Sequence, residues 1–221
     1  DNNNNDITRI ISFVDLAGHE KYYKTTIFGA NSCSLDYIML LIGGNMGVSL
    51  MTREHFLLAL ILKIPFIVVI TKIDMAPKNV LEQTLIDITR LLKRYKPDHY
   101  FVEVTNDNKH SLNKKDNNNQ IPLFYISNTS GNNIDFLRSY ISSLEIYNDW
   151  NNLKQKEIYF TTEDVYQVVG VGCVITGTLT SGIIKKGDKL MLGPINGNFI
   201  EVIVKSLHDN YKQFVEQLEA G

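Results

Sequence analysis

The sequence predicts a doubly wound α/β sheet followed by a small all-β barrel. Three observations lead there. Four short runs are apolar without alternation, as strands buried on both faces are. Stretches with helical spacing of apolar residues lie between them. After residue 150 the helical pattern stops, and β-branched runs with recurrent glycines take over. The chain has 221 residues, 44% of them hydrophobic, enough for a domain of about 150 residues plus a smaller one.

The first apolar run, "IISFV" (10–14), ends at Asp15 and is expected to be a strand. The others are "YIMLLI" (37–42), "FIVVIT" (66–71) and "LFYIS" (123–127). The helix expected over 52–63 has Thr52 at the N-cap position, and His55 is expected to be structural in its first turn. The next, over 79–96, has Asn79 as cap and Leu81, Leu85, Ile88, Leu91 and Leu92 on one face. A third, over 133–147, places Ile134, Leu137, Tyr140, Ile141 and Leu144 together. Strands alternating with helices imply right-handed crossovers. Ligands of such sheets bind beyond the carboxyl ends of the strands.

The expected division is a first domain over 1–150, carrying an asparagine-rich insertion at about 105–120, and a barrel over 151–221. The insertion is polar, charged and without periodicity, so it is read as a mobile surface loop, with Lys109, Lys114 and Lys115 solvated rather than bound to RNA. The barrel is read from the glycines at 172, 177, 182 and 187.

Composition narrows the possibilities. A formal net charge of −2 gives no overall field for nucleic acid. The two cysteines, Cys33 and Cys173, are expected to be buried, reduced thiols, since neither a disulfide framework nor a zinc site has enough partners. No apolar run reaches the roughly 18 residues that a spanning helix needs, and the N-terminus lacks the pattern of a signal peptide. The cytoplasm is the expected compartment. The chain meets its first apolar run almost at once and stops at "EQLEAG", which suggests a piece of a longer polypeptide.

Three strand ends carry the chemistry. The first gives Asp15, Gly18 and His19, the third Thr71, Lys72 and Asp74, and the fourth Ser127, Asn128 and Thr129. Each group alone has an ordinary explanation. Asp15 could cap a helix, His19 could be a surface histidine, and Lys72 with Asp74 could be a loop ion pair. Together, each directly after a buried strand, they suit a guanine nucleotide with Mg²⁺. Asp15 can hold Mg²⁺ through water, because that ion keeps several of its waters. Gly18 lets its backbone N–H approach a γ-phosphate. Asp74 can accept two hydrogen bonds from the guanine edge, which adenine cannot donate. The alkyl stem of Lys72 can cover the base, while Ser127, Asn128 and Thr129 complete the pocket. His19 can orient a water for phosphoryl transfer, which asks mainly for positioning and charge stabilisation. Tyr22, Tyr23 and Lys24 suit either a mobile helix after the glycine or a partner surface.

With these residues in view, the chain resembles the elongation-factor-like translational GTPases, most of all the subgroup of GTP-binding proteins 1 and 2. "DLAGHEKYYKTTIFG" and "MTREHFLLALILKIPFIVVITKIDM" carry the resemblance, which covers nearly the whole chain apart from the asparagine tracts. It implies the C-terminal part of a P-loop GTPase sheet, binding of GTP and GDP, and a catalytic role for His19. The "GVGCVITGTLTSGIIKKGDKLMLGP" stretch is similar to the family's second domain, a barrel that contacts RNA or the ribosome. The implied partners are the ribosome, tRNA or the RNA-decay machinery.

The chain departs from the family in three ways. Alanine stands at 17 where most members have proline, as in the named subgroup. Threonine stands at 71 where most have asparagine, and its shorter hydroxyl cannot bridge from base to phosphate loop in the same way. No G-x-x-x-x-G-K-[ST] occurs, so this stretch is expected to hydrolyse GTP poorly or not at all. Two other readings fit the residues less well: a non-catalytic scaffold derived from a GTPase, and an initiation or selenocysteine-type translation factor.

Overall fold

The structure is a computed structural model, and it describes residues 10–32, 35–112 and 119–221. The chain divides into two compact units, the first running to Tyr147 and the second from Asn148 to Gly221. Cys33, Lys114, Lys115 and the first asparagine tract lie outside the described residues.

In the first unit, a 3₁₀ turn over Glu20–Tyr22 leads into α1 (Tyr23–Ser32). Next come β1 (Ile38–Gly43), α2 (Leu50–Leu62), β2 (Phe66–Thr71), α3 (Lys78–Tyr95), β3 (Tyr100–Glu103), α4 (Lys109–Leu112), β4 (Gln120–Tyr125) and α5 (Ile134–Ser143). The four strands form one parallel sheet in the order β1-β2-β4-β3. Alternate residues of β2 feed opposite faces. Val68 and Ile70 join Leu40, Ile42 and Leu123 under α2 and α3, through Phe56, Ala59, Ile88 and Leu92. Ile67 and Val69 join Phe124 and Ile126 under α5, through Leu137 and Tyr140. A strand covered on both faces has no reason to alternate in sequence, which is why β2 reads as one apolar run.

Several expectations are corrected. Residues 10–18 form no strand. Ile10 is 81% exposed and Phe13 69%, and no described strand pairs with them. Apolar content makes a strand only where a neighbour supplies the ladder. The strand β3 is an addition, and it pulls the start of β4 back to Gln120 by pairing with it. Pro122 is tolerated in β4 because pairing with β2 begins only at Leu123. Helix α2 is capped by Ser49, whose hydroxyl accepts from the Thr52 backbone N–H at 3.1 Å, not by Thr52. Pro77 rather than Asn79 precedes α3. Part of the expected surface loop is built into the fold: Leu112 of α4 is buried, and the Lys109 ammonium donates to Ser139 Oγ at 2.6 Å.

The second unit opens with α6 (Trp150–Lys154) and continues as β5 (Tyr159–Val168), β6 (Gly172–Ser181), β7 (Ile183–Lys185), β8 (Lys189–Ile195), β9 (Asn198–Ile203), β10 (Leu207–His208), β11 (Phe214–Val215) and β12 (Gln217–Glu219). Four antiparallel ladders result: β5 with β6, β7 with β12, β8 with β9, and β10 with β11. They share one small core in which Leu179, Ile184 and Ala220 are buried beneath Trp150, Phe160, Leu190 and Leu218. This is consistent with a small β-barrel. A side chain at Gly177 would collide with the Thr161 carbonyl oxygen, so that glycine serves strand approach. Cys173 is exposed, contrary to the expectation of a buried thiol, because it lies beside the tight turn that closes the β5–β6 hairpin, opposite Gln167.

Candidate functional site

The carboxyl ends of β2 and β4 are stitched together. Ile126 N–H donates to Ile70 O at 2.9 Å, and Ile73 N–H donates to Ile126 O at 3.3 Å. The turn after β2 closes through Met75 N–H to Lys72 O at 3.3 Å. Lys72 is left-handed, with φ 58. A side chain in that region costs about 1–2 kcal/mol, and residues held so tend to sit at functional sites. The side chains of Lys72 and Asp74 are exposed at this turn. Thr71 ends the ladder, its hydroxyl 3.4 Å from Ile42 O.

Past β4, Ser127 is fully buried. Its N–H donates to Asn132 O at 3.1 Å, and its hydroxyl accepts from Ser130 N–H at 3.2 Å. The Ser127 side chain therefore shapes the loop, while Asn128 and Thr129 stand exposed on it. Asn133, which no motif in the sequence singles out, anchors the loop's far end by donating from Nδ2 to Tyr125 O at 2.8 Å. The segments 71–74 and 127–129 thus form one rim.

The Asp15–His19 segment is held separately. Thr26, buried in α1, donates from its hydroxyl to Ala17 O at 2.6 Å. Gly29 leaves room for Leu16, whose Cδ2 lies 3.1 Å from where a Cβ would stand. The Tyr23 hydroxyl lies 3.3 Å from Glu54 Oε2, joining α1 to the first half of α2. Burial and then the neighbouring Glu54 carboxylate raise the Tyr23 pKa. Asp15 is exposed. A Cβ at Gly18 would meet nothing within 4 Å, so the fold itself does not demand a glycine there. Lys21 N–H donates to His19 Nδ1 at 3.1 Å. A neutral ring in that geometry carries its proton on Nε2. Among the described residues, no group of three or more His, Cys, Asp or Glu could cage a metal. A Mg²⁺ held by one carboxylate through water needs no such cage.

The sequence model of the elongation factor Tu GTP binding domain matches residues 6–208. The chain belongs to that family. It is 42% identical over 206 residues to GTP-binding protein 1 of Xenopus laevis, covering 91% of this chain and 31% of the relative. It is 37% identical over 212 residues to human GTP-binding protein 2, covering 92% of this chain and 35% of the relative. The selenocysteine-specific elongation factor of Methanocaldococcus jannaschii is 30% identical over 215 residues, covering 96% of this chain and 39% of the relative. The chain thus spans about a third of the length of the first two relatives. Among solved structures, translation elongation factor SelB from Methanococcus maripaludis in complex with the GTP analogue GppNHp superposes with a TM-score of 0.64. It is 23% identical and covers 94% of this chain and 40% of that one, a likeness of fold.

Proposed function

We propose that this chain forms the guanine-selecting part of a GTP-binding, GTP-hydrolysing switch of the elongation-factor type, acting in the cytoplasm in translation or RNA quality control. The observation that carries the reading is the joined rim. The turn with Lys72 and Asp74 is hydrogen-bonded to the loop that presents Ser127, Asn128 and Thr129. A base lying there would have the Lys72 stem on its face and the Asp74 carboxylate on its N–H edge.

Asp15 would hold Mg²⁺ through water, and the ion would offset phosphate charge. Gly18 would offer its backbone N–H to the γ-phosphate. His19, with Nδ1 engaged by Lys21, would turn its Nε2 side to the attacking water. Loss of the γ-phosphate would free the segment from Gly18 into α1, and the Thr26 and Tyr23 contacts would pass the change to α2. The ribosome, tRNA or the RNA-decay machinery would read that change through the barrel.

Hydrolysis by the full-length polypeptide, with and without ribosomes, tests the role of His19. His19→Ala is expected to lower stimulated turnover at least about a hundredfold while GDP affinity stays within a few-fold. Unchanged turnover would remove His19 from the mechanism. Likeness to a selenocysteine-specific factor favours one alternative, a carrier of a single charged tRNA. Selective retention of selenocysteinyl-tRNA by the GTP-bound protein would support that alternative.

A further inference from the structure

Asn45 is a polar residue that the guanine reading leaves without a task. It lies in the turn leaving β1, two residues beyond Gly43. The residue is half-buried, yet its Oδ1 is buried and has no hydrogen-bond partner. Nearly all buried polar atoms in folded proteins have one.

Turn formation does not explain the atom. An asparagine that builds a turn accepts from the backbone N–H two residues on. Here that N–H, on Gly47, donates to Gly43 O at 3.0 Å, and Met46 N–H donates to the same oxygen at 2.9 Å. The turn closes through its backbone alone.

The position of the atom is informative. Oδ1 lies 3.2 Å from where a Cβ on Gly43 would stand, so the amide folds back over the end of β1, close enough that a side chain there would press on it. Gly43 pairs with Thr71 across the parallel ladder. Paired residues of neighbouring parallel strands present their side chains to the same face. The Asn45 amide therefore sits on the Thr71 side-chain face, one strand over. The two are further tied by Gly44 N–H donating to Thr71 O at 2.8 Å. Thr71 is the rim position at which this chain carries a short hydroxyl in place of the asparagine usual among its resemblant family.

We propose that the Asn45 carboxamide, folded over Gly43 beside Thr71, is a positioning residue of the nucleotide site: it accepts a hydrogen bond that forms only when guanine nucleotide occupies the rim, and so performs from β1 the bridging that Thr71 is too short to perform from β2. The inference rests on the guanine reading. It explains together the buried acceptor, the glycine at 43 and the threonine at 71.

The test is a set of equilibrium titrations with a fluorescent GDP analogue on the full-length polypeptide, paired with thermal unfolding of the nucleotide-free protein. Asn45→Ala is expected to weaken GDP binding about tenfold, the size of one well-placed hydrogen bond. It should leave the nucleotide-free melting temperature unchanged or higher, because it removes an unmet polar atom. Thr71→Asn should strengthen binding far more in the Asn45→Ala background than in the wild type. The proposal is overturned if Asn45→Ala binds GDP within twofold of wild type. It is equally overturned if weaker binding comes with an equal loss of nucleotide-free stability that Thr71→Asn does not rescue, the mark of a merely structural residue. A wild type that binds GDP no better than ADP would instead sink the guanine reading, and this inference with it.

Discussion

At Lys72, backbone strain and expected chemistry fall on one residue. A glycine there would adopt φ 58 without penalty. Lys72→Gly is therefore expected to stabilise the nucleotide-free protein by about 1 kcal/mol in urea unfolding, while weakening guanine nucleotide binding through loss of the stem over the base. Weakening of both would show that the strain is not there. His55 gives a pH prediction. Its Nε2 is buried without a partner, 5.9 Å separates its ring from that of Tyr23, and burial holds its pKa below the ordinary 6.5, with Glu54 opposing. Burial lowers His99 in the same way. Because these folded-state values are depressed, the unfolded chain takes up protons first as pH falls below about 6.5, and folding loses stability from there downward. His55→Leu is expected to make the decline of the urea midpoint between about pH 7 and pH 5 shallower; an identical slope would mean that His55 is not held neutral. The sequence offered the residue types of the rim but neither the left-handed turn at Lys72 nor the orphan oxygen of Asn45. Both arise from contacts across strands that no local pattern encodes.

At the scale of elements, legibility followed burial. The run 66–71 is β2, residue for residue, because a central strand covered on both faces must be apolar throughout. The less buried β3 was harder. Tyr100 and Glu103 of β3 are exposed, so that strand lacks a continuous apolar run, although the aromatic and β-branched "YFV" within it was a usable signal. The run at 10–14 has the composition of a strand without a ladder partner among the described strands. The helix ends moved because capping depends on which side chain reaches a free N–H: Ser49 does, and Thr52 instead bonds to Ser49. Helix α2 brings a fully buried aromatic to the core: Phe56 meets Phe66 edge-on at 5.4 Å. Phe56→Ala is expected to cost about 3–5 kcal/mol in urea unfolding; a cost below 1 kcal/mol would contradict this packing.

At the scale of the molecule, every residue proposed to bind nucleotide lies in the first unit, and the second is a mainly β body with its own core. Trp150, the only tryptophan, packs on that second core, against the end of the chain at Gly221. Its fluorescence therefore follows the unfolding of the second unit. Gly177→Ala is expected to shift the Trp150 transition to lower denaturant while GDP binding persists. The central claim is that the rim of β2 and β4 selects guanine through Asp74. The most direct test compares GDP and XDP binding by the full-length wild type and Asp74→Asn. Xanthine presents an acceptor where guanine presents its amino group, so exchanging the carboxylate for an amide should exchange the preference. The account predicts that wild type favours GDP and Asp74→Asn favours XDP, each by at least about tenfold. A variant that keeps its preference for GDP would contradict it.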